Sequence, residues 1–367
     1  MRAWIMATGR NTGELKRLCL RGALRAGLAA ALLGAAFLPL PAIAQQLGEE
    51  SPSAVILMYH RFGEDDLPNS SIQLEQFEAH LEELKSGGYT VLPLTRIVTA
   101  LRNRQPLPER TVAITIDDAY RSVYEEAWPR LKAAGYPFTL FVSTDVIDGG
   151  GADYMRWTEI RELARGGVAI GNQTASHPHL PEITLDKAKD EIRYASSRIE
   201  KEIGQRPAFF AYPYGEYSLA LRDAVAEAGF AAGFGQHSGV AHDRADLMQL
   251  PRFPLNENYG GIDRFRLIAS ALPLPVEDLT PADPVLTGAN PPAVGFTVPS
   301  GVGDIGNLDC FASRQGRANI ERLPPGRIEI RLTSAFPAGR SRINCTMPAP
   351  DGRWRWFGLQ YYVPADR

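Results

Sequence analysis

An α/β fold built as an irregular (β/α) barrel, followed by a small all-β C-terminal domain, is the architecture this sequence predicts. Three observations carry it. From residue 54 to about residue 274, short apolar and β-branched runs alternate with stretches of helical period, the pattern of a parallel sheet with crossover helices. No glycine-rich phosphate loop follows the first apolar run, so a barrel, closed or irregular, fits better than a doubly wound sheet. Beyond a proline-dense stretch at 273–292 the chain changes to short strands and turns.

The units follow in order. "AVILMY" (54–59) reads as the first strand, and "IQLEQFEAHLEELKSGG" as its helix: Leu74, Phe77, Leu81 and Leu84 keep helical spacing, and Gly87-Gly88 stops it. "TVAITI" (111–116) and "YRSVYEEAWPRLKAAG" form the next pair, and "PFTLFV" (137–142) another strand. "GVAIG" (167–171) precedes "LDKAKDEIRYASSRIEKEIG", and "AFFAYP" (208–213) precedes "YSLALRDAVAEAG". Six or seven such units in about 220 residues are the content of a barrel. The barrel domain is placed at 45–274, a proline-rich linker at 275–292 and the β domain at 293–367. In "RWRWFGLQYYV", Trp354 and Trp356 share one strand face, either filling a small core or offering a platform on which sugar rings stack.

Ahead of the barrel, Lys16, Arg17, Arg21 and Arg25 precede an apolar run from Ala26 to Leu38, and Ala42-Ile43-Ala44 supplies small residues for a signal peptidase. Residues 1–44 therefore read as a secretory signal, the apolar core being short of the roughly 20 residues that span a bilayer. The chain left after cleavage is expected to have no membrane span and to be periplasmic or secreted. The leader holds six Lys/Arg and one Glu, so its removal takes the formal net charge from −3 to −8. An acidic chain with no basic run interleaved with aromatics is not a nucleic-acid binder. Cys19 leaves with the leader. Cys310 and Cys345 remain, an even pair read as one disulfide in an exported chain or, alternatively, as two buried thiols.

Candidate chemistry gathers where strands end. Asp117 and Asp118 follow "TVAITI" directly. Asp118 could simply cap the next helix, which explains one carboxylate. Two adjacent carboxylates repel unless a cation or specific donors compensate, so a divalent metal is a natural third party. A second group is "GVAIGNQTASHPHLP", whose His177 and His179 are two of six histidines in the chain. A third is "AFFAYPYGEYS", in which Tyr212, Pro213 and Tyr214 offer a rigid apolar wall or ordinary strand-end packing.

Together these stretches resemble the polysaccharide deacetylases with a NodB-homology domain, carbohydrate esterase family 4. Thr115-Ile116-Asp117-Asp118-Ala119 matches the family's Thr-Phe-Asp-Asp-Gly, and Gln173-Thr174-Ala175-Ser176-His177 matches His-(Ser/Thr)-x-x-His. Ala211-Tyr212-Pro213-Tyr214-Gly215 falls on Arg-Pro-Pro-Tyr-Gly. The resemblance covers about residues 54–274 and implies a metal-dependent hydrolase that removes N-acetyl groups from amino sugars of an extracellular or cell-envelope polysaccharide. It implies Asp117 as general base, Asp118 and His177 as ligands of a divalent metal (zinc first, cobalt or nickel next), and a backbone oxyanion donor near Tyr214. The family's leaving-group acid stands late, as Leu-x-His. Here a similar piece, with His60, ends the first strand, as in the circularly permuted branch.

Two departures bear on the site. Gln173 stands where the first metal histidine belongs, and an amide oxygen is the weaker ligand for zinc-like ions, so weak binding is expected. His179 is the alternative third ligand, although a two-residue spacing aims it differently. Ala211 replaces the motif arginine, and Arg252 in "QLPRFPLNE" is the candidate to orient Asp117 instead, a surface arginine being the other possibility. A catalytically weakened glycan-binding or export-complex scaffold is the second function class, on the strength of Gln173. Glycosidase chemistry is disfavoured: its two carboxyls stand at least about 5 Å apart across the bond, which neighbours in sequence cannot do.

Overall fold

The computed structural model describes residues 51–365, so the leader reading at 1–44 lies outside the described residues. The barrel is made of β1 (Ser53–Tyr59), β2 (Thr111–Ile116), β3 (Phe138–Val142), β4 (Ala169–Asn172), β5 (Phe209–Ala211) and β6 (Ala232–Phe234), all parallel and adjacent in that order. Two short strands then return to β1. β7 (Val240–His242) pairs antiparallel with its lower half, and β8 (Phe253–Pro254) pairs parallel with its upper half, Leu57 opposite Phe253. Just before β8, Leu250 donates its N–H to the Gly233 carbonyl and accepts from the Gly235 N–H, both at 2.9 Å. The segment 250–254 thus hydrogen-bonds both free edges of the sheet and ties the barrel shut.

Strand parity sorts the core. Val112, Ile114 and Ile116 on β2, with Val55, Leu57 and Tyr59 on β1, face the helical layer. That layer includes α1 (Leu74–Ser86), α3 (Trp128–Ala134), α4 (Thr144–Asp148), α5 (Trp157–Arg165) and α8 (Ile262–Ala269), and Phe77, Leu131, Ile147, Leu163 and Phe265 from these helices pack into it. The other parity points inward: Ala54, Ile56, Ala113, Phe141, Phe209, Ala211 and Phe234 form a second cluster, with Ile97, Val98 and Leu101 of α2 (Leu94–Asn103). Small residues at 54, 113, 211 and 232 leave room for the phenylalanines, as a barrel interior requires. Continuing that parity, Thr115 and Asp117 are inward-facing at the C-terminal end of β2. α6 (Leu185–Ile203), capped by Thr184, and α7 (Leu219–Glu227), capped by Ser218, cover the β4–β5 side.

The remaining chain forms two antiparallel-rich sheets. One runs in the order β9 (Leu272–Pro273), β17 (Trp354–Val363), β16 (Gly339–Pro348), β12 (Asp309–Ala312), β13 (Gly316–Arg317); the other β10 (Glu277–Thr280), β11 (Val294–Thr297), β15 (Arg327–Arg331), β14 (Asn319–Leu323). Phe296, Ile328, Ile330, Ile343 and Tyr361 are buried between them. The stretch read as a linker contributes β10, which pairs antiparallel with β11 across an irregularity between Glu277 and Thr280, and Leu274 and Leu286 belong to this core. Cys310 and Cys345 oppose each other across β12 and β16 and are joined by a disulfide. The tryptophans divide: Trp354 is exposed, whereas Trp356 meets Phe253 of the barrel edge at 5.2 Å and donates to Asn344 Oδ1 at 3.1 Å.

Candidate active site

The sequence-singled residues from five separate stretches meet at the C-terminal mouth of the barrel. Asp117 is wholly buried, and Arg252 holds it with two hydrogen bonds, Nη1 to Oδ1 at 2.6 Å and Nη2 to Oδ2 at 2.8 Å. Arg252 is no surface residue: it is 0% exposed, lies in the barrel interior below the carboxylate, and also donates from Nε to the Gly235 carbonyl and from Nη1 to the Thr115 hydroxyl. A planar fork matched to a carboxylate fixes the plane of Asp117, which a lysine could not do. Each Asp117 oxygen keeps a further lone pair for a proton donor. His60, where β1 ends, brings its Nε2 to 3.9 Å from Oδ2.

Asp118 turns the other way. Its φ of +70° and the +54° of Ala119 swing the chain out of the strand, the next helix starts at Arg121, and the Asp118 carboxylate bonds none of its backbone N–H groups, so Asp118 caps no helix. Its Oδ1 is buried with no hydrogen-bond partner and lies 3.5 Å from His177 Nε2. Burial pushes the His177 pKa below its ordinary value, against the opposing pull of the Asp118 and Asp117 charges, which favours the neutral imidazole that a metal needs. An orphaned carboxylate oxygen facing a neutral imidazole nitrogen at that separation fits two ligands of one cation.

Gln173 is wholly buried beside them. Its Oε1 accepts the Asp118 N–H at 3.2 Å, and its Nε2 faces His177 Nε2 at 3.2 Å. Reversing the amide would set N–H against N–H, so the oxygen stays with the Asp118 backbone. His179 does not take the vacant role: its Nδ1 is bonded to Glu216 Oε2 at 2.7 Å and its ring lies flat on Tyr214 at 4.2 Å. Among the described residues no group of three or more His, Cys, Asp or Glu side chains gathers into a metal cluster.

Tyr214 stands in a left-handed turn, φ +58°, its ring edge-on to His177 at 4.5 Å. Five of the nine non-glycine residues with positive φ among those described, Asp118, Ala119, Thr174, His177 and Tyr214, fall in the three turns that form this one mouth. Such conformations cost about 1–3 kcal/mol each and persist where surrounding contacts over-determine them. The mouth opens into a cleft of about 290 Å³ walled by Tyr120, Tyr154, Val146, Ser143, Ser176 and Tyr214. Tyr120 and Tyr154 stack at 5.0 Å, and Arg61 covers the Tyr120 ring at 3.5 Å. Sequence reasoning did not find this aromatic wall, nor buried Glu216, nor Arg340 and Gln360 of the sandwich, both of which bond the Tyr214 carbonyl. Only the density of tyrosines after the strand ends hinted at the first of these.

Residues 104–233 match the model of the polysaccharide deacetylase family. The chain is 26% identical over 214 residues to YxkH of Bacillus subtilis (strain 168), named provisionally as a polysaccharide deacetylase, covering 58% of this chain and 75% of that one. It is 22% identical over 243 residues to a poly-β-1,6-N-acetyl-D-glucosamine N-deacetylase of Staphylococcus aureus (strain N315), covering 58% and 82%. The Escherichia coli (strain K12) protein of the same name matches at 22% over 229 residues, 51% of this chain and 34% of that one. Among solved structures, the Streptococcus pyogenes deacetylase PplD in complex with acetate superposes with a TM-score of 0.56 at 23% identity, covering 60% of this chain and 99% of that one. IcaB from Ammonifex degensii superposes at 0.53 and 23%, with the same coverage. Both likenesses establish the fold.

Proposed function

From the match of residues 104–233 to the polysaccharide deacetylase family, we propose that the protein hydrolyses the N-acetyl groups of amino sugars in an extracellular or cell-envelope polysaccharide. The observation that carries this reading is the pairing of a fixed, buried Asp117 with His60 on one side and the orphaned Asp118 oxygen facing His177 on the other. The names of relatives from Staphylococcus aureus and Escherichia coli point to poly-β-1,6-N-acetylglucosamine as the first substrate to try. The stacked tyrosines of the cleft suit the C–H faces of pyranose rings.

Each step has a residue. Asp117, its plane set by Arg252, takes a proton from the water that adds to the acetyl carbonyl carbon. The Tyr214 backbone N–H offers a hydrogen bond to the oxygen on which negative charge develops. His60 gives a proton to the sugar nitrogen as the C–N bond breaks, so that acetate and a free amine leave. Asp118 and His177 would hold a divalent ion, zinc before cobalt or nickel, and such an ion supplies Lewis acidity to the carbonyl and the water. Gln173 would not join these two ligands: its Oε1 is held by the Asp118 N–H and its Nε2–H faces the His177 Nε2 lone pair that the ion would need, so binding with two protein ligands is correspondingly weak. The basic and apolar leader supports export to the periplasm or beyond, and no helix among the described residues is long and apolar enough to cross a membrane.

The division of labour is tested by two variants. Asp117→Asn should abolish acetate release and keep the metal, whereas His60→Ala should slow release and remove the alkaline limb of its pH profile. Loss of metal and activity together in Asp117→Asn contradicts the separation of base from ligand. A weakened domain that only binds glycan has Gln173 in its favour; it predicts sugar binding with no acetate from the wild type.

A further inference from the structure

The turn that carries Tyr214 is gripped by the C-terminal sandwich. Arg340 on β16 faces Tyr362 on β17, and Arg342 faces Gln360, so the side chains of 340 and 360 share one face of that sheet. Arg340 Nη1 and Gln360 Nε2 converge on one acceptor, the Tyr214 carbonyl, at 3.3 and 3.0 Å. Gln360 is itself aimed: its Oε1 accepts from Arg342 Nε at 3.1 Å. The Arg340 guanidinium also lies 5.4 Å from the Tyr214 ring centroid and 3.4 Å from Glu216 Oε1. Glu216 is 2% exposed, and its second oxygen holds His179, which covers the Tyr214 ring.

A tyrosine does not keep a left-handed conformation on its own account, and the neighbouring Gly215 is also left-handed, φ +71°. Two donors on the carbonyl between them fix the rotation of that peptide, and the ring contacts fix the side chain. We propose that the sandwich is part of the active site, with Arg340 and Gln360 as positioning residues: by fixing the Tyr214–Gly215 peptide they hold Tyr214 in its left-handed turn, and that conformation sets the direction in which the N–H of the preceding Pro213–Tyr214 peptide meets the acetyl oxygen. The inference rests on the deacetylase reading and adds to it a task for the C-terminal domain.

Kinetics and hydrogen exchange of the full exported chain, loaded with zinc and given N-acetylglucosamine oligomers, test it together. Arg340→Ala and Gln360→Leu should each lower kcat several-fold with KM within about twofold. The double variant should fall by more than the product of the two, toward the ~10²-fold that loss of one oxyanion donor brings, because either donor alone partly holds the carbonyl. Arg340→Lys, which keeps a donor, should recover part of the loss, and melting temperatures should stay near wild type. Exchange of amides in the peptide 212–217 should quicken in the double variant. Wild-type kcat in the double variant, or unchanged exchange at 212–217, overturns the proposal. Should Arg340→Ala fail to fold, Gln360→Leu alone carries the same comparison. An inactive wild type defeats the deacetylase reading instead, and the exchange result still decides whether the sandwich holds the turn.

Discussion

Arg252 and Asp117 form an ion pair that is 0% exposed on both sides, and its energetics are asymmetric. Removing one partner strands a buried charge, which costs about 3–5 kcal/mol. Arg252→Leu should therefore lose that much stability in urea unfolding along with nearly all activity, and Arg252→Lys should recover little of either, since a point charge cannot hold both carboxylate oxygens. Gln173→His offers the opposite experiment. With an imidazole beside Asp118 and His177, zinc affinity in chelator competition should rise by at least about tenfold. Unchanged affinity would mean that the Asp118 and His177 atoms do not share an ion. At this scale the sequence was legible wherever a residue type announces chemistry at a strand end: the fold brings Asp117, Asp118 and His177, singled out by strand-end position and by the motif resemblance, to one mouth. It was not legible which way the Gln173 amide points, since that depends on one backbone N–H from another strand.

At the scale of elements, α1 shows how a helix carries a pH response away from the site. His80 on its buried face is wholly enclosed, stacked on Phe265 at 4.0 Å, with Nε2 2.7 Å from the Gly260 carbonyl and Nδ1 3.0 Å from the Tyr59 hydroxyl. Both ring nitrogens are satisfied with the imidazole neutral: Nε2–H donates and Nδ1 accepts. Burial lowers its pKa from 6.5 to about 4. The unfolded chain then takes up the proton first as pH falls, so His80 contributes stability that is intact above about pH 6.5 and lost toward pH 4, about 2–3 kcal/mol in all. Denaturant unfolding across that window should show the loss, and His80→Gln should be less stable at pH 7 yet flatter below it. The helical spacing of Leu74, Phe77 and Leu84 predicted this element, but the same stripe includes position 80, and nothing in periodicity says that a histidine there is core. The disulfide is the sandwich's counterpart. It closes a 35-residue separation, and its reduction should cost about 3–4 kcal/mol on the loop-entropy account, read as an earlier unfolding midpoint with reductant present.

For the whole molecule, the alternation of strand and helix predicted the barrel because each unit is local: an apolar run, a turn, an amphipathic helix. Closure is not local. Residues 250–254 pair with β1 over only two residues, yet they join the two edges of the barrel and carry Arg252, and a two-residue pairing has no periodicity to read. The sandwich was legible as β-rich chain, whereas its hold on the Tyr214 turn depends on two side chains about 130 and 150 residues further along the sequence. Trp356 similarly reads as core or as platform, and in the fold it packs on the barrel edge through Phe253. The central claim concerns the whole chain: that this mouth cleaves an amide of a sugar and not a glycosidic bond. The direct measurement is product stoichiometry for the purified protein with zinc on β-1,6-linked N-acetylglucosamine oligomers of defined length. The account predicts one free amine for every acetate released, oligomer length unchanged, and neither product from Asp117→Asn; new reducing ends, or no acetate at any divalent ion tried, would contradict it.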